Sequence, residues 1–201
     1  TSLYGSHIIT CAGNAGYVGF NSQKKYINAK LLRSWGRQSS IYDQKSEQIK
    51  NRFGAKISNI PYDKKFIFNK LGYNLEPSEI GCAYGLEQLK RLKKNIFIRK
   101  KNYQLHNLYF KTKENYFEVS KFNKNADSAL LAYPLTIKPN KNFTRNDFQI
   151  YLEQKGIQTR PVFTGNILRQ PGFKNIKCIK RKKYKNADYI MRNSVLLACH
   201  H

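Results

Sequence analysis

Residues 71–89 read LGYNLEPSEIGCAYGLEQL, and this stretch contains the strongest helix signal in the chain. Proline is well tolerated at the first position of a helix, so Pro77 predicts where the helix begins. Apolar residues then recur at helical spacing, at Ala83, Leu86, Leu89, Leu92 and Ile96. The pattern predicts a helix that extends to about Phe110 and crosses from one domain into the next.

The residues before this helix predict three successive segments. Residues 1–20 mix β-branched and small residues, which favours short strands or a hairpin with a glycine-bearing turn at 12–16. Residues 26–35 have helical spacing. Residues 36–70 are polar and weakly periodic, and a loop of that length in a folded domain is usually functional or lies at an interface.

The residues after the helix alternate between strand and helix patterns. A strand is predicted at 129–137, where Pro134 favours an edge position because proline lacks a backbone N–H. Thr144 and Asp147 form an N-cap arrangement for a helix that ends near Gly156. The remaining predicted elements are a short strand at 159–163, a helix at 184–193 and a strand at 194–198. This order predicts a small α/β or α+β domain.

The chain is strongly basic, with a formal net charge of +25 over 201 residues. Such a charge is typical of proteins that bind nucleic acid or an anionic surface. The lysines are scattered, however, and accompany many Asn, Ile, Tyr and Phe residues, a composition that A/T-rich codons alone would produce. The densest basic runs, at 90–94, 99–101 and 180–183, are therefore interpreted as solvated helix faces, and no nucleic-acid partner is predicted.

Four cysteines lie far apart and form no C-x-x-C pair: Cys11, Cys82, Cys178 and Cys199. This spacing predicts no metal site, and it is typical of reduced thiols in a cytoplasmic protein. No apolar run approaches the roughly 20 residues needed to span a bilayer. No signal-peptide pattern is visible at the N-terminus. The sequence predicts no membrane association and a cytoplasmic location.

Two further segments complete a pattern with residues 71–89. Residues 1–10 read TSLYGSHIIT, and residues 159–166 read TRPVFTGN, followed by Gln170-Pro171. In order and spacing, the three segments resemble the DegT/DnrJ-type sugar aminotransferase and dehydratase family of fold-type I pyridoxal-phosphate (PLP) enzymes. The similarity covers nearly the whole chain, and residues 71–89 carry its most specific motif.

The resemblance implies an α/β fold that forms the C-terminal part of an aspartate aminotransferase-like enzyme. Residues 1–95 would be the end of the large PLP-binding domain with an interface loop, and residues 96–201 a small α/β domain entered by the long helix. Family members also have a long N-terminal half before the first segment, which supplies much of the cofactor site. We therefore expect the chain to be a fragment that alone neither binds PLP tightly nor catalyses a reaction.

The resemblance places His7, five residues after Ser2, at the position of the lysine that forms a Schiff base with PLP in the family's aminotransferases. A histidine cannot form that bond, but it can transfer protons near neutral pH. In the family's 3-dehydratases that carry histidine there, the cofactor works as pyridoxamine phosphate. The resemblance implies that His7 is the catalytic acid and base, whereas a lone histidine without the other motifs would have no such role.

The resemblance also implies binding roles for other residues. Ser2 and Asn74 would donate hydrogen bonds to cofactor phosphates, Asn74 to that of the neighbouring subunit. Arg160 and Asn166, and more weakly Arg37, would contact substrate or the other subunit, since arginine binds a diphosphate bidentately. The ordinary alternatives are an exposed serine, a turn asparagine and salt-bridged surface arginines.

The implied substrate is a nucleotide-linked 4-keto-6-deoxyhexose, and the implied reaction is loss of its C3 hydroxyl. Such 3-deoxy sugars enter surface polysaccharides, including the O-antigen of lipopolysaccharide. Glutamate would be the amino donor, and a homodimer would share its active sites. One dehydratase branch holds an iron–sulfur cluster on closely grouped cysteines, but no cysteine lies between Cys11 and Cys82, so no cluster is expected.

Three other hypotheses stay open. The chain could come from a sugar aminotransferase of the same family that uses another lysine or has lost activity. It could be a basic nucleic-acid-binding protein, whose binding would depend steeply on salt. It could also be a non-catalytic subunit of a related enzyme.

Overall fold

The computed structural model describes residues 1–123, 125–177 and 183–201, so Cys178 and most of the basic run at 180–183 lie outside the described residues. The chain divides into two units, residues 1–90 and 91–201. The helices are α1 (Gln23–Arg33), α2 (Ile49–Arg52), α3 (Glu79–Lys111), α4 (Arg145–Gln154) and α5 (Lys185–Asn193). The strands are β1 (Ala55–Ile57), β2 (Ile60–Tyr62), β3 (Phe117–Val119), β4 (Ala132–Ile137), β5 (Thr159–Pro161) and β6 (Ser194–Ala198). Segments of 3₁₀ helix cover Gln38–Glu47, which is interrupted by a kink at Asp43, and Lys64–Phe66, Ile167–Arg169 and Pro171–Phe173.

The long helix α3 begins at Glu79, two residues later than the sequence predicts, and ends at Lys111. The Ser78 hydroxyl accepts a hydrogen bond from the Gly81 N–H at 3.0 Å. Ser78 therefore caps the helix, and Pro77 precedes the cap instead of opening the first turn. The division between the two units and the predicted boundary after residue 95 both lie within this helix.

The first unit is built from short elements, and region 36–70 is structured instead of being a plain loop. Strands β1 and β2 form an antiparallel hairpin. Its two turn residues, Ser58 and Asn59, both have positive φ, as a type I′ turn requires. Leu31 of α1 is buried, whereas Leu71 and Ile80 are 97% and 84% exposed. Large apolar side chains thus remain uncovered in this unit.

The second unit contains a four-stranded antiparallel sheet in the order β3-β4-β6-β5. Along β4, alternate side chains point into the core, where Tyr133, Leu135 and Ile137 are at most 2% exposed. Tyr103 and Phe110 of α3 belong to the same buried cluster. The sheet is wholly antiparallel, so this unit takes the α+β form of the predicted alternatives.

The prediction that Pro134 marks an edge strand is wrong, because β4 lies between β3 and β6. The structure also shows why proline is tolerated there. Strand β3 pairs only with residues 135–137, so at Pro134 the neighbouring strand is β6 alone. The missing N–H of Pro134 therefore leaves no β3 carbonyl without its partner.

The interpretation of the basic runs as solvated faces is wrong for Arg99, which is 1% exposed. Its Nη1 donates to the carbonyls of Leu131 and Leu130 at 2.9 and 3.4 Å, and its Nε donates to His201 Nδ1 at 3.1 Å. Burial lowers the pKa of the Arg99 guanidinium. Within the described ranges, no helix has both the length and the apolar character to cross a membrane.

Candidate functional site

His7 lies on a loop that is closed by backbone pairing at its base. Ser2 and Gly16 form an antiparallel bridge, supported by hydrogen bonds from Leu3 N–H to Ala15 C=O at 2.9 Å and from Tyr17 N–H to Thr1 C=O at 2.8 Å. The predicted hairpin is thus a single bridge with a long loop. The glycines and small residues of this segment allow the tight turns that bring His7 back over Ser2.

The geometry determines which nitrogen of His7 carries the proton. His7 Nδ1 lies 3.1 Å from the carbonyl oxygen of Ser2. A carbonyl only accepts hydrogen bonds, so Nδ1 must donate, and in the neutral ring Nε2 keeps its lone pair. No described residue makes a hydrogen bond to Nε2. The Tyr4 ring meets the imidazole edge-on, with centroids 6.1 Å apart and planes at 72°. His7 is therefore an oriented, partly exposed imidazole whose Nε2 can accept a proton.

Ser2 is exposed, and its hydroxyl accepts a hydrogen bond from the Tyr4 N–H at 3.3 Å. The hydroxyl proton is not used by this contact, so it can be donated to an anion. The structure thus brings two of the predicted residues, Ser2 and His7, into direct contact.

Two glycines of α3 support the His7 loop. A Cβ atom at Gly81 would lie 2.7 Å from the Cys11 carbonyl oxygen, and one at Gly85 would lie 2.5 Å from the Cys11 sulfur. The two glycines are one helical turn apart, so they form a side-chain-free surface on which the loop packs. This explains physically why the motif at 71–89 carries glycine at position 85.

Asn74 lies on a segment that pairs with the end of α1. Ser34 and Asn74 form an antiparallel bridge, with Tyr73 N–H donating to Leu32 C=O at 2.7 Å and Leu75 N–H to Arg33 C=O at 2.9 Å. The backbone on either side of Asn74 is hydrogen-bonded, whereas the Asn74 side chain is exposed. No described residue forms a hydrogen bond with its amide or joins it to Ser2 or His7.

Arg37 is held over the Trp35 ring, with its guanidinium carbon 4.5 Å from the ring centroid. Its Nε is buried and, among the described residues, has no hydrogen-bond partner. Gly36 makes this turn possible, because it adopts a φ of +83° and a Cβ there would lie 1.8 Å from the Lys70 carbonyl oxygen.

Arg160 and Asn166 belong to the second unit and differ sharply in their surroundings. Arg160 is exposed on β5, where its Nη1 donates to the carbonyl of Thr159 at 2.7 Å. Asn166 is 7% exposed. Its Nδ2 donates to Asp188 at 2.7 Å, and its Oδ1 accepts from the Leu168 N–H at 3.1 Å. The Asn166 amide is therefore already engaged within the protein.

A model of the DegT/DnrJ/EryC1/StrS aminotransferase family matches residues 1–201. The chain belongs to this family. The predicted family is thus confirmed over the whole chain.

Curated members of the family are similar along nearly all of the chain. The lipopolysaccharide biosynthesis protein RfbH of Salmonella typhimurium is 30% identical, over 96% of this chain and 44% of its own length. The GDP-4-keto-6-deoxy-D-mannose 3-dehydratase of Escherichia coli is 27% identical, over 100% of this chain and 49% of its own length. The chain thus spans about half the length of the curated relatives it matches.

A solved family structure confirms the predicted fold. It is a GDP-4-keto-6-deoxymannose-3-dehydratase with a trapped PLP-glutamate geminal diamine. It superposes with a TM-score of 0.78 at 24% identity, over 99% of this chain and 49% of that one.

Sequence reasoning missed two contributors to these sites, Tyr4 and Asp188, and one buried lysine of the first unit, Lys30. Tyr4 packs against the His7 ring, and its place three residues before the histidine was the available signal. Lys30 is 5% exposed and binds Asp43 at 2.5 Å and the Ile41 carbonyl at 2.9 Å. Asp188 holds Asn166 from 22 positions away. A contact between residues so far apart in sequence leaves no local pattern.

Proposed function

We propose that this chain is part of a PLP/pyridoxamine-phosphate enzyme that removes the C3 hydroxyl of a nucleotide-linked 4-keto-6-deoxyhexose. The observation that carries the proposal is the oriented imidazole of His7, a residue that the resemblance aligns with the lysine of the family's aminotransferases. Family membership and the similarity to a curated 3-dehydratase support it. The product class suits the synthesis of surface polysaccharide, and the curated relative RfbH bears the name of a lipopolysaccharide biosynthesis protein.

The residues present fit a cofactor that is held without a covalent bond. Ser2 offers a free hydroxyl proton and Asn74 an unengaged amide, and both are suitable donors to a phosphate. His7 has no amine, so it cannot capture an aldehyde as lysine does. The cofactor, when bound, would supply the amine that captures the C4 ketone and the ring that accepts electrons.

His7 Nε2 is the atom at which this chain would move protons. It would accept a proton when the sugar is activated and return one to the departing C3 hydroxyl, because an imidazole can do both near neutral pH. The Ser2 carbonyl and the Tyr4 ring would keep Nε2 directed outward while this happens. Arg160 is a candidate contact to the substrate or the other subunit, and Arg37 is a weaker one of the same kind, since a guanidinium group can form paired hydrogen bonds with phosphate oxygens.

The proposal includes a shared active site in a homodimer, glutamate as amino donor and a cytoplasmic location. Support for the dimer is the exposed apolar surface of the first unit, including Leu71 and Ile80. Support for glutamate is the adduct seen in the solved family structure. Asn166 stays in the proposal as a second-unit candidate for contact with substrate or the other subunit, and its amide nitrogen donates to Asp188.

The alternative function is sugar amino transfer, the activity after which the family is named. It would require a lysine amine at the cofactor. Lys30, the buried lysine of the first unit, donates hydrogen bonds to Asp43 and to the Ile41 carbonyl. This engagement favours dehydration over a transaminase built on Lys30.

Product analysis tests the proposal. The complete enzyme would be incubated with PLP, glutamate and GDP-4-keto-6-deoxymannose, and the product examined by NMR and mass spectrometry. We expect a 3-deoxy-4-keto sugar. A product that gains an amino group and keeps its C3 hydroxyl would establish the transaminase alternative instead.

The variant His7→Lys tests the position of the histidine independently of turnover. We expect this variant to show the absorbance of a covalently bound cofactor, which the parent enzyme lacks. An unchanged spectrum would place His7 away from the cofactor.

A further inference from the structure

A pocket of about 370 Å³ in the second unit is lined by three arginines, one aspartate and one methionine: Arg145, Arg169, Asp188, Met191 and Arg192. The first residue of α4, the end of a 3₁₀ segment and three residues of α5 contribute these side chains. Like charges repel, so three guanidinium groups around one cavity need compensation.

Asp188 compensates one of the three charges. Arg169 donates to both carboxylate oxygens of Asp188, with the Nη2 contact at 2.6 Å. The Arg169 guanidinium and the Asn166 amide hold the pKa of Asp188 well below its usual range, so the carboxylate stays ionised at neutral pH. The pocket therefore keeps two uncompensated positive charges.

The two guanidinium groups that carry those charges, on Arg145 and Arg192, have hydrogen-bond donors that are largely free. Arg145 Nε donates to the backbone carbonyl of Arg192 at 3.0 Å, and its Nη1 donates to Gln149. Its Nη2 makes no hydrogen bond with a described residue. The guanidinium of Arg192 makes neither a hydrogen bond nor an ion pair with any part of the chain that the structure describes. One complete guanidinium fork and one further amino group thus line the cavity.

We propose that this pocket binds a phosphoryl group. A phosphate dianion matches the two uncompensated charges, and its oxygens match the paired donors of a guanidinium fork. The cavity lies apart in sequence from Ser2 and His7, and its ligand chemistry does not depend on the proposed reaction. Free phosphate and the diphosphate of a nucleotide share this chemistry, so both are possible occupants.

Binding measurements on the 201-residue chain test the site. Isothermal titration calorimetry would be performed at fixed ionic strength with inorganic phosphate, pyrophosphate, GDP and guanosine. The variant Arg192→Gln removes the free fork and should weaken phosphate binding about tenfold or more, the loss expected for a charged hydrogen-bonding pair. Arg192→Lys keeps the charge without the fork, and its affinity for phosphate should lie between those of the parent chain and Arg192→Gln.

Arg91→Gln is the matched control, because it removes the same charge from an exposed position on α3. We expect it to leave phosphate binding unchanged. Circular dichroism would verify that the variants are folded, which is expected since Arg192 contacts Arg145 only through its backbone carbonyl.

The outcomes separate the possible occupants from a general effect of positive charge. Tighter binding of GDP and pyrophosphate than of phosphate supports the site with a nucleotide diphosphate as occupant, and the reverse order supports it with free phosphate. If Arg192→Gln and Arg91→Gln lose phosphate affinity equally, or if neither variant loses any, the proposal is overturned. Binding of guanosine as tight as that of GDP would overturn it as well.

Discussion

The hydrogen bond between His7 and the Ser2 carbonyl predicts a single neutral tautomer. Because Nδ1 donates to that carbonyl at 3.1 Å, neutral His7 should carry its proton on Nδ1. His106 provides an internal control of opposite sense, since its Nε2 lies 2.9 Å from the Ala198 carbonyl and should be protonated there. Nitrogen-15 NMR shifts of the neutral rings would distinguish the two forms. A His7 ring protonated on Nε2 would contradict the assignment of Nε2 as the proton acceptor.

The lowered pKa of Asp188 predicts how this residue contributes to the stability of the folded chain in acid. Arg169 and Asn166 lower its pKa from the ordinary 3.8. A carboxylate with a lowered pKa stabilises the folded state fully above its unfolded-state pKa, and this stabilisation is lost as the pH falls through the folded-state value. Asp188→Asn should therefore reduce stability at pH 7 and make the decline in thermal midpoint below pH 4 shallower.

The control for this prediction is Glu114→Gln, which removes an exposed carboxylate that forms no hydrogen bond with the described residues. Its midpoint should follow that of the parent chain at every pH. If the parent and Asp188→Asn lose stability in parallel on acidification, protonation of Asp188 is not a cause of the acid destabilisation.

At the scale of elements, the packing of the His7 loop on α3 is testable through its glycines. Gly→Ala in a helix normally stabilises by about 1 kcal/mol, but overpacking a filled contact costs about 1–3 kcal/mol. Since a Cβ at Gly85 would lie 2.5 Å from the Cys11 sulfur, Gly85→Ala should lower the free energy of unfolding, measured by urea denaturation. In a Cys11→Ala background the sulfur is gone, and the same change should become neutral or stabilising.

Gly81→Ala is the contrasting case. Its Cβ would meet the Cys11 backbone oxygen at 2.7 Å, which no side-chain substitution removes. This variant should be destabilised in both backgrounds. A stabilising Gly81→Ala would show that the loop does not pack on this face of α3.

The elements that the sequence predicts well are those specified by local contacts. Thr144 and Asp147 bond each other in a capping box at the start of α4, and a cap of this kind is visible within four residues. Strands β4 and β6 follow from runs of apolar residues. Strand β3 was not predicted, because it has three residues and depends on pairing with β4. The same non-local pairing makes Pro134 part of a central strand.

The candidate site was likewise predictable only in part: the sequence identifies residues, but not the contacts that depend on the tertiary fold. Family motifs identify Ser2 and His7, yet the tautomer depends on a carbonyl whose position only the folded loop provides. Asn166 was chosen for its motif, and its engagement with Asp188 depends on how α5 packs against the segment at 162–170. The burial of Arg99 is another tertiary effect that a basic run in the sequence conceals.

At the scale of the whole molecule, the net charge of +25 has two explanations, a nucleic-acid site or dispersed surface charge, and the salt dependence of DNA binding distinguishes them. If the basic residues form a nucleic-acid site, duplex DNA should remain bound at moderate salt, because a dedicated site adds contacts beyond counterion release. If they are dispersed surface charge, any binding should be weak, independent of sequence and lost by about 200 mM salt. We expect the second result in fluorescence anisotropy titrations with two unrelated duplexes. Binding that persists at that salt concentration, or that prefers one duplex, would show that the charge serves a nucleic-acid partner.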